Sequence, residues 1–289
     1  MILITGAAGK TGNAVLNALA LRGVRTKALV RSAEQGEKII KIHKTEIVIG
    51  DLRDVQALRL ALEGVSKIYF IAPNMAPDEL EIGSQLIKVA REKGINRFVY
   101  HSVLHPQVSA MPHHWNKLLM EEALFTSGLN FTILQPCAYM QNVLGTWDRI
   151  KNEGKYVVPY SVESRISIVD LDDIGKVAAN VLMQTGHANA IYELAGPEPL
   201  SQVEVAAKMS AVLGREVSAV EQPHAEWEKN AHSGGLGEQE IEWLLKMFTY
   251  YDQYGLIGNS RTLQSLLDEV PTSFTQFLER TLKKESGRK

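Results

Sequence analysis

The chain opens on Met1-Ile-Leu-Ile-Thr-Gly6-Ala-Ala-Gly9-Lys-Thr-Gly12, and the apolar positions that follow, Val15, Leu16, Leu19 and Leu21, recur at helical spacing. A short apolar run predicts a buried parallel strand, so this stretch reads as strand, glycine turn and helix. Few folds accept that unit. Glycines in such a turn let the backbone approach a pyrophosphate, whose charge is met by free N–H groups at the helix N-terminus. The spacing is G-x-x-G-x-x-G rather than G-x-G-x-x-G, and Lys10-Thr11 falls before the last glycine, so the ending of a P-loop is missing. Gly6, Gly9, Lys10, Thr11 and Gly12 are therefore candidate dinucleotide-binding residues.

Further along, strands and helices alternate. Val24 to Val30 reads as a second strand, and Arg31 follows its end, where an acidic side chain would bind the ribose 2′-hydroxyl of NAD. An arginine there suits a 2′-phosphate, and Lys10 can add a second positive charge, so the expected cofactor is NADP(H), with NAD(H) the alternative. A helix from Ala33 to His43 leads to a third strand in Glu46 to Leu52, with Asp51 placed to accept from an adenine amino group. Val55 to Leu62 reads as a helix, and Lys67 to Pro73 as a strand whose last residues, Ala72 and Pro73, permit close approach of a cofactor. Helix Glu79 to Lys93 ends at Gly94, and Arg97 to Ser102 is a fifth strand. Alternation of this length predicts an α/β, Rossmann-type, doubly wound parallel sheet. Phe131 to Pro136 is its sixth strand, and Ile191 to Leu194 its last.

Composition narrows the partners. The 289 residues carry 31 Lys+Arg against 33 Asp+Glu, a net charge of −2 that favours neither nucleic acid nor an anionic membrane. The single cysteine, Cys137, permits no intramolecular disulfide, and no stretch is long and apolar enough to span a bilayer; the expectation is a cytoplasmic protein. The histidines are scattered and offer no metal set, and no Gly-x-Ser-x-Gly elbow is present.

The chain is similar to the NmrA-like, atypical members of the short-chain dehydrogenase/reductase superfamily, near the branch of NADPH-quinone reductase and triphenylmethane reductase. The resemblance rests on Gly6-x-x-Gly9-x-x-Gly12, Gly50-Asp51-Leu52, Tyr100-His-Ser102-Val-Leu-His105, the run Lys117 to Asn142, Ile191 to Gly196 and Arg261 to Leu267. It implies a Rossmann core over 1–153, to which 168–195 return, and a smaller, mostly helical substrate lobe over 154–167 and 196–289. It also adds Leu52, Pro136 and Tyr139 to the cofactor contacts.

One departure bears on chemistry. The superfamily's Tyr-x-x-x-Lys reads His113-x-x-x-Lys117 here, so the lysine that holds the nicotinamide ribose survives and the tyrosine acid does not. His113 titrates near neutrality and is the candidate replacement acid, Ser102 is placed to polarise a bound carbonyl, and Glu121, one turn after Lys117, is expected to pair with it or to cap backbone. Aromatic and methionine side chains, among them Met111, Trp115, Met140, Trp227, Trp243, Phe248, Tyr250, Tyr251 and Tyr254, are candidates for a flat apolar pocket. The implied activity is hydride transfer from NADPH to a planar electrophile such as a quinone or a dye. The alternative is an NADP(H)-binding redox sensor that acts through a regulatory protein partner.

Overall fold

The computed structural model describes residues 1–40 and 44–286. Its first half is β1 (Ile2–Ile4), α1 (Lys10–Ala20), β2 (Thr26–Val30), α2 (Ala33–Ile40), β3 (Thr45–Ile49), α3 (Val55–Ala61), β4 (Lys67–Phe70), α4 (Glu79–Glu92), β5 (Arg97–His101), α5 (Pro112–Phe125) and β6 (Phe131–Pro136). The second half is β7 (Ala138–Tyr139), a 3-10 helix (Met140–Thr146), α6 (Trp147–Glu153), β8 (Lys155–Val158), β9 (Ile166–Val169), α7 (Leu171–Met183), β10 (Ala190–Leu194), β11 (Pro199–Leu200), α8 (Gln202–Leu213) and β12 (Ser218–Glu221). Four helices close the chain: α9 (His224–Ser233), α10 (Glu238–Tyr254), α11 (Arg261–Leu267) and α12 (Phe274–Ser286).

The described strands form a seven-stranded sheet in the order β10-β6-β5-β4-β1-β2-β3, every pair parallel. Its strands are apolar on both faces because helices cover both. α1, α2 and α7 bury one face through Val15, Leu19, Ile39 and Val177, and α3, α4 and α5 bury the other through Leu58, Leu86 and Leu124. The strand order reverses at β1, which leaves a crevice between the carboxyl ends of β1 and β4.

Several expected elements stop early, and the reasons are local. β3 ends at Ile49 and β4 at Phe70, because Gly50 and Ile71 are where the backbone leaves the sheet to wall the crevice. β2 begins only at Thr26, since the Val24 N–H closes α1 by donating to Leu19 O at 3.1 Å. The expected helix from Ala33 is present to Ile40, and residues 41–43 lie outside the described residues.

A third buried cluster joins Met140, Trp147, Tyr156, Val205, Met209, Phe274 and Phe277. It belongs to a smaller layer of short sheets, β11-β9-β7 and β12-β8, packed with α6, α8 and α12. Packing into this layer starts at Met140, ahead of the boundary at 153 that sequence suggested. α8 carries a capping box at Ser201 and Glu204. Asp170 caps α7 through Asp172 N, and Arg280 of α12 reaches Asp170 at 2.5 Å and Asp172 at 3.2 Å, which fixes the last helix to the core. α10 and α11 pack back on the core through Tyr251, Leu263 and Leu267. No helix among the described residues is long and apolar enough to cross a membrane.

Candidate active site

The crevice at the strand reversal holds a cavity of about 400 Å³. Its walls are Gly6 to Thr11 after β1, Leu29 to Arg31 after β2, Gly50 to Arg53 after β3 and Ile71 to Asn74 after β4. Lys10, Thr11, Arg31, Asp51, Leu52, Ala72 and Pro73, proposed from the sequence, all line it. Gly9 and Gly12 differ in what they are small for. A Cβ at Gly9 would meet only Gly6 O, at 3.3 Å, and would otherwise project into the cavity. One at Gly12 would come within 2.4 Å of Gly6 O and 2.6 Å of Ala7 Cα. Gly12 is thus required by the packing of α1 on the loop, and Gly9 keeps the cavity open. Together with the free N–H groups of α1, this cradle fits a dinucleotide pyrophosphate.

Charge along the cavity is uneven. The Arg31 N–H donates to Gln35 Oε1 at 3.0 Å, while its guanidinium and the Lys10 ammonium have no ion-pair partner among the described residues. Asp51 accepts from Arg53 N at 2.8 Å. Arg53 makes a forked pair with Asp78, at 2.6 and 2.9 Å, and so ties the wall after β3 to the segment before α4. Neither half of that clamp stood out in the sequence.

Pleating divides Tyr100-His101-Ser102 between the two faces of the sheet, since successive side chains point to opposite sides. On the α5 side Tyr100 donates to Glu79 Oε1, and Lys117 Nζ reaches the same oxygen at 2.9 Å. Ser102 is buried and donates to Glu121 Oε1, and Gln135 Nε2 donates to both Glu121 oxygens at 2.9 Å. These contacts revise three expectations. Lys117 pairs with Glu79 rather than Glu121, because Glu121 is already held by Ser102 and Gln135. Ser102 spends its proton on the Glu121 carboxylate. Burial pushes the His113 pKa well below its usual 6.5, and the nearby Lys117 and His114 push it further, so the ring is neutral and is no acid near pH 7. Its Nδ1 is buried without a partner among the described residues. Burial also raises the Glu121 carboxyl, against the opposing hydrogen bonds from Ser102 and Gln135.

On the α1 side, His101 Nδ1 is 2.7 Å from Tyr69 Oη and its Nε2 is 2.7 Å from Tyr139 Oη. Burial, with Lys117 nearby, lowers His101 to about 3, and burial raises Tyr139 to about 12 against the pull of the Thr11 hydroxyl beside it. Tyr139 thus lies beside Thr11 of the loop, and neither it nor Pro136, which ends β6 three strands from β1, is in the walls of the cavity. The pairing of Tyr69 with His101 was not anticipated, since nothing in an apolar strand singles out one tyrosine whose partner is 32 residues away.

The aromatic residues do not converge on one pocket. Met111 and Met140 are core residues of separate clusters, and Trp227 packs edge-on against Phe248 at 4.8 Å between ring centres. Tyr250 and Tyr254 flank a separate groove on α10. The lobe does touch the cleft, where Asn74 Nδ2 lies 3.5 Å from Glu240 Oε1 in the first turn of α10.

Comparison with known proteins agrees with this architecture. The chain is 30% identical to the NAD(P)H azoreductase of Xenophilus azovorans, over 96% of each chain. It is 25% identical to quinone oxidoreductase 2 of Escherichia coli, again over 96% of each. Among solved structures, an NADPH-dependent quinone oxidoreductase of Escherichia coli in complex with NADPH superposes with a TM-score of 0.85 and 24% identity, covering 98% of this chain and 100% of the other. A Citrobacter triphenylmethane reductase complexed with NADP(H) gives 0.84 and 24% over 97% and 99%. With the NmrA-like family model matching residues 1–280 on top of this cleft and sheet order, the chain belongs to the NmrA-like family.

Proposed function

We propose that the protein is an NADPH-dependent reductase of planar electrophilic acceptors, quinones or dyes. The observation that carries the cofactor is the pair of cations, Lys10 and Arg31, lining one cleft with no ion-pair partner among the described residues and no carboxylate at the end of β2. They suit a 2′-phosphate better than a bare ribose, as does the similarity to an NAD(P)H azoreductase. When bound, NADPH supplies the hydride.

The chain's own part is to bind and orient. Gly6 to Gly12 receive the pyrophosphate, Asp51 and Leu52 border the adenine end, and Ala72 and Pro73 wall the cleft toward the nicotinamide. Lys117 pairs with Glu79 at the start of α4. Neither group expected to act on the acceptor offers an acidic proton at neutral pH: His113 is neutral and Ser102 gives its proton to Glu121. This supports acceptors whose reduced oxygens or carbons need no side-chain acid, which quinones and cationic dyes satisfy and simple ketones do not. The similarity to a quinone oxidoreductase and an azoreductase points the same way.

The test is NADPH consumption across quinones, azo and triphenylmethane dyes, aldehydes and ketones, with NADPH affinity measured alongside. Oxidation driven by quinones or dyes and negligible with aldehydes and ketones is expected. Tight NADPH binding with no acceptor-dependent oxidation would overturn the enzyme assignment.

A further inference from the structure

Tyr69, His101 and Tyr139 form a buried hydrogen-bonded row that the proposed reaction does not use. Tyr69 sits wholly inside the sheet, and its hydroxyl has no partner other than His101 Nδ1 among the described residues. His101 is also buried, and its lowered pKa keeps it neutral, so the ring has one N–H and one lone pair.

Counting protons fixes the direction of the row. If Nδ1 carried the hydrogen it would donate to Tyr69 Oη, and the Tyr69 proton would be left without an acceptor in a dry site, which is the costly outcome. If Tyr69 donates to Nδ1 instead, the hydrogen is on Nε2 and is given to Tyr139 Oη. Both buried groups are then satisfied. The Tyr139 proton must therefore point away from His101, and the Thr11 side chain, from a residue that lines the dinucleotide cleft, lies beside the Tyr139 hydroxyl.

We propose that Tyr69 and His101 are positioning residues that orient the Tyr139 hydroxyl toward the Gly6–Gly12 loop, where it donates a hydrogen bond to a phosphate oxygen of the bound dinucleotide. The proposal rests on the cofactor reading above. It goes beyond it in assigning a donor to the pyrophosphate from outside the glycine loop and a two-residue device that aims it. Tyr139 remains protonated throughout the neutral range and acts as a donor, not as an acid.

Two measurements test it, and one needs no cofactor. Nitrogen-15 NMR of the free protein should find His101 as the Nε2–H tautomer, and a proton on Nδ1 would overturn the proposal whether or not NADPH binds. In titrations with NADPH, Tyr139→Phe should weaken affinity roughly 10- to 100-fold, the range for a hydrogen bond to a charged group. Tyr69→Phe should weaken it several-fold in the wild-type background and not at all in the Tyr139→Phe background, because it acts only through Tyr139. Unchanged affinity in Tyr139→Phe, or an equal loss from Tyr69→Phe in both backgrounds, would reduce the row to a structural one. Absence of NADPH binding to the wild type is the separate failure of the cofactor reading.

Discussion

Lys117 Nζ lies 2.9 Å from Glu79 Oε1 in a pair from which water is almost excluded, with the Tyr100 hydroxyl on the same carboxylate oxygen and the Tyr100 ring beneath the ammonium at 5.6 Å. Glu79 is the first residue of α4, separated by residues 75–78 from the cleft wall formed by Ile71 to Asn74. Breaking one partner of such a pair leaves a buried uncompensated charge. Lys117→Met should therefore lower the unfolding free energy by about 3–5 kcal/mol, and Glu79→Gln added to it should restore much of the loss. Denaturant midpoints of the two single variants and the double variant measure this. Losses that simply add would mean the two side chains are independent.

Arg31 supplies the second prediction. A charge-assisted contact to phosphate contributes about 1.5–3 kcal/mol, so Arg31→Asp should weaken NADPH binding roughly 10- to 100-fold and leave NADH nearly unchanged. Titration with both cofactors decides it. Equal losses, or a wild type that prefers NADH, would remove the 2′-phosphate assignment.

Gly9 and Gly12 should separate binding from folding. A side chain at Gly9 enters the cavity and meets little of the protein, so Gly9→Val is expected to abolish dinucleotide binding with the melting temperature almost unchanged. Gly12→Ala drives a Cβ to 2.4 Å from Gly6 O, and the melting temperature itself should fall. Thermal melts with and without NADPH distinguish the two, and a Gly9→Val protein that still binds NADPH normally would contradict the cradle.

Three histidines make stability depend on acid. Burial holds His101 at about 3, His114 at about 4 and His113 well below the usual 6.5, so the unfolded chain takes protons that the folded one refuses. Their contribution is intact above pH 6.5 and is lost as pH falls, through about 4 for His114 and about 3 for His101, at about 1.4 kcal/mol per pH unit for each proton. His114→Asn should flatten the dependence by one proton, which unfolding curves between those limits would reveal. An unchanged slope would mean that His114 already titrates in the folded state.

The sequence by itself determined the alternating architecture and the place of the cofactor cleft. Glycine spacing, strand-length apolar runs and Arg31 are local signals, and each acts within a few residues of where it is read. The same holds for the Ser201–Glu204 capping box, in which both groups lie within one turn. What the tertiary structure alone decided is the partner of each buried polar group. Lys117 and Glu121 are one helical turn apart, and sequence spacing favours their pairing. Yet α4 brings Glu79 to the lysine from 38 residues away, while β5 and β6 bring Ser102 and Gln135 to Glu121. The acid–base character of His113 follows the same rule, because its 6.5 belongs to water and burial beside Lys117 replaces water with the protein interior. Local pattern fixes which elements form, but the charge state and hydrogen-bond direction of a buried group depend on neighbours that only packing supplies.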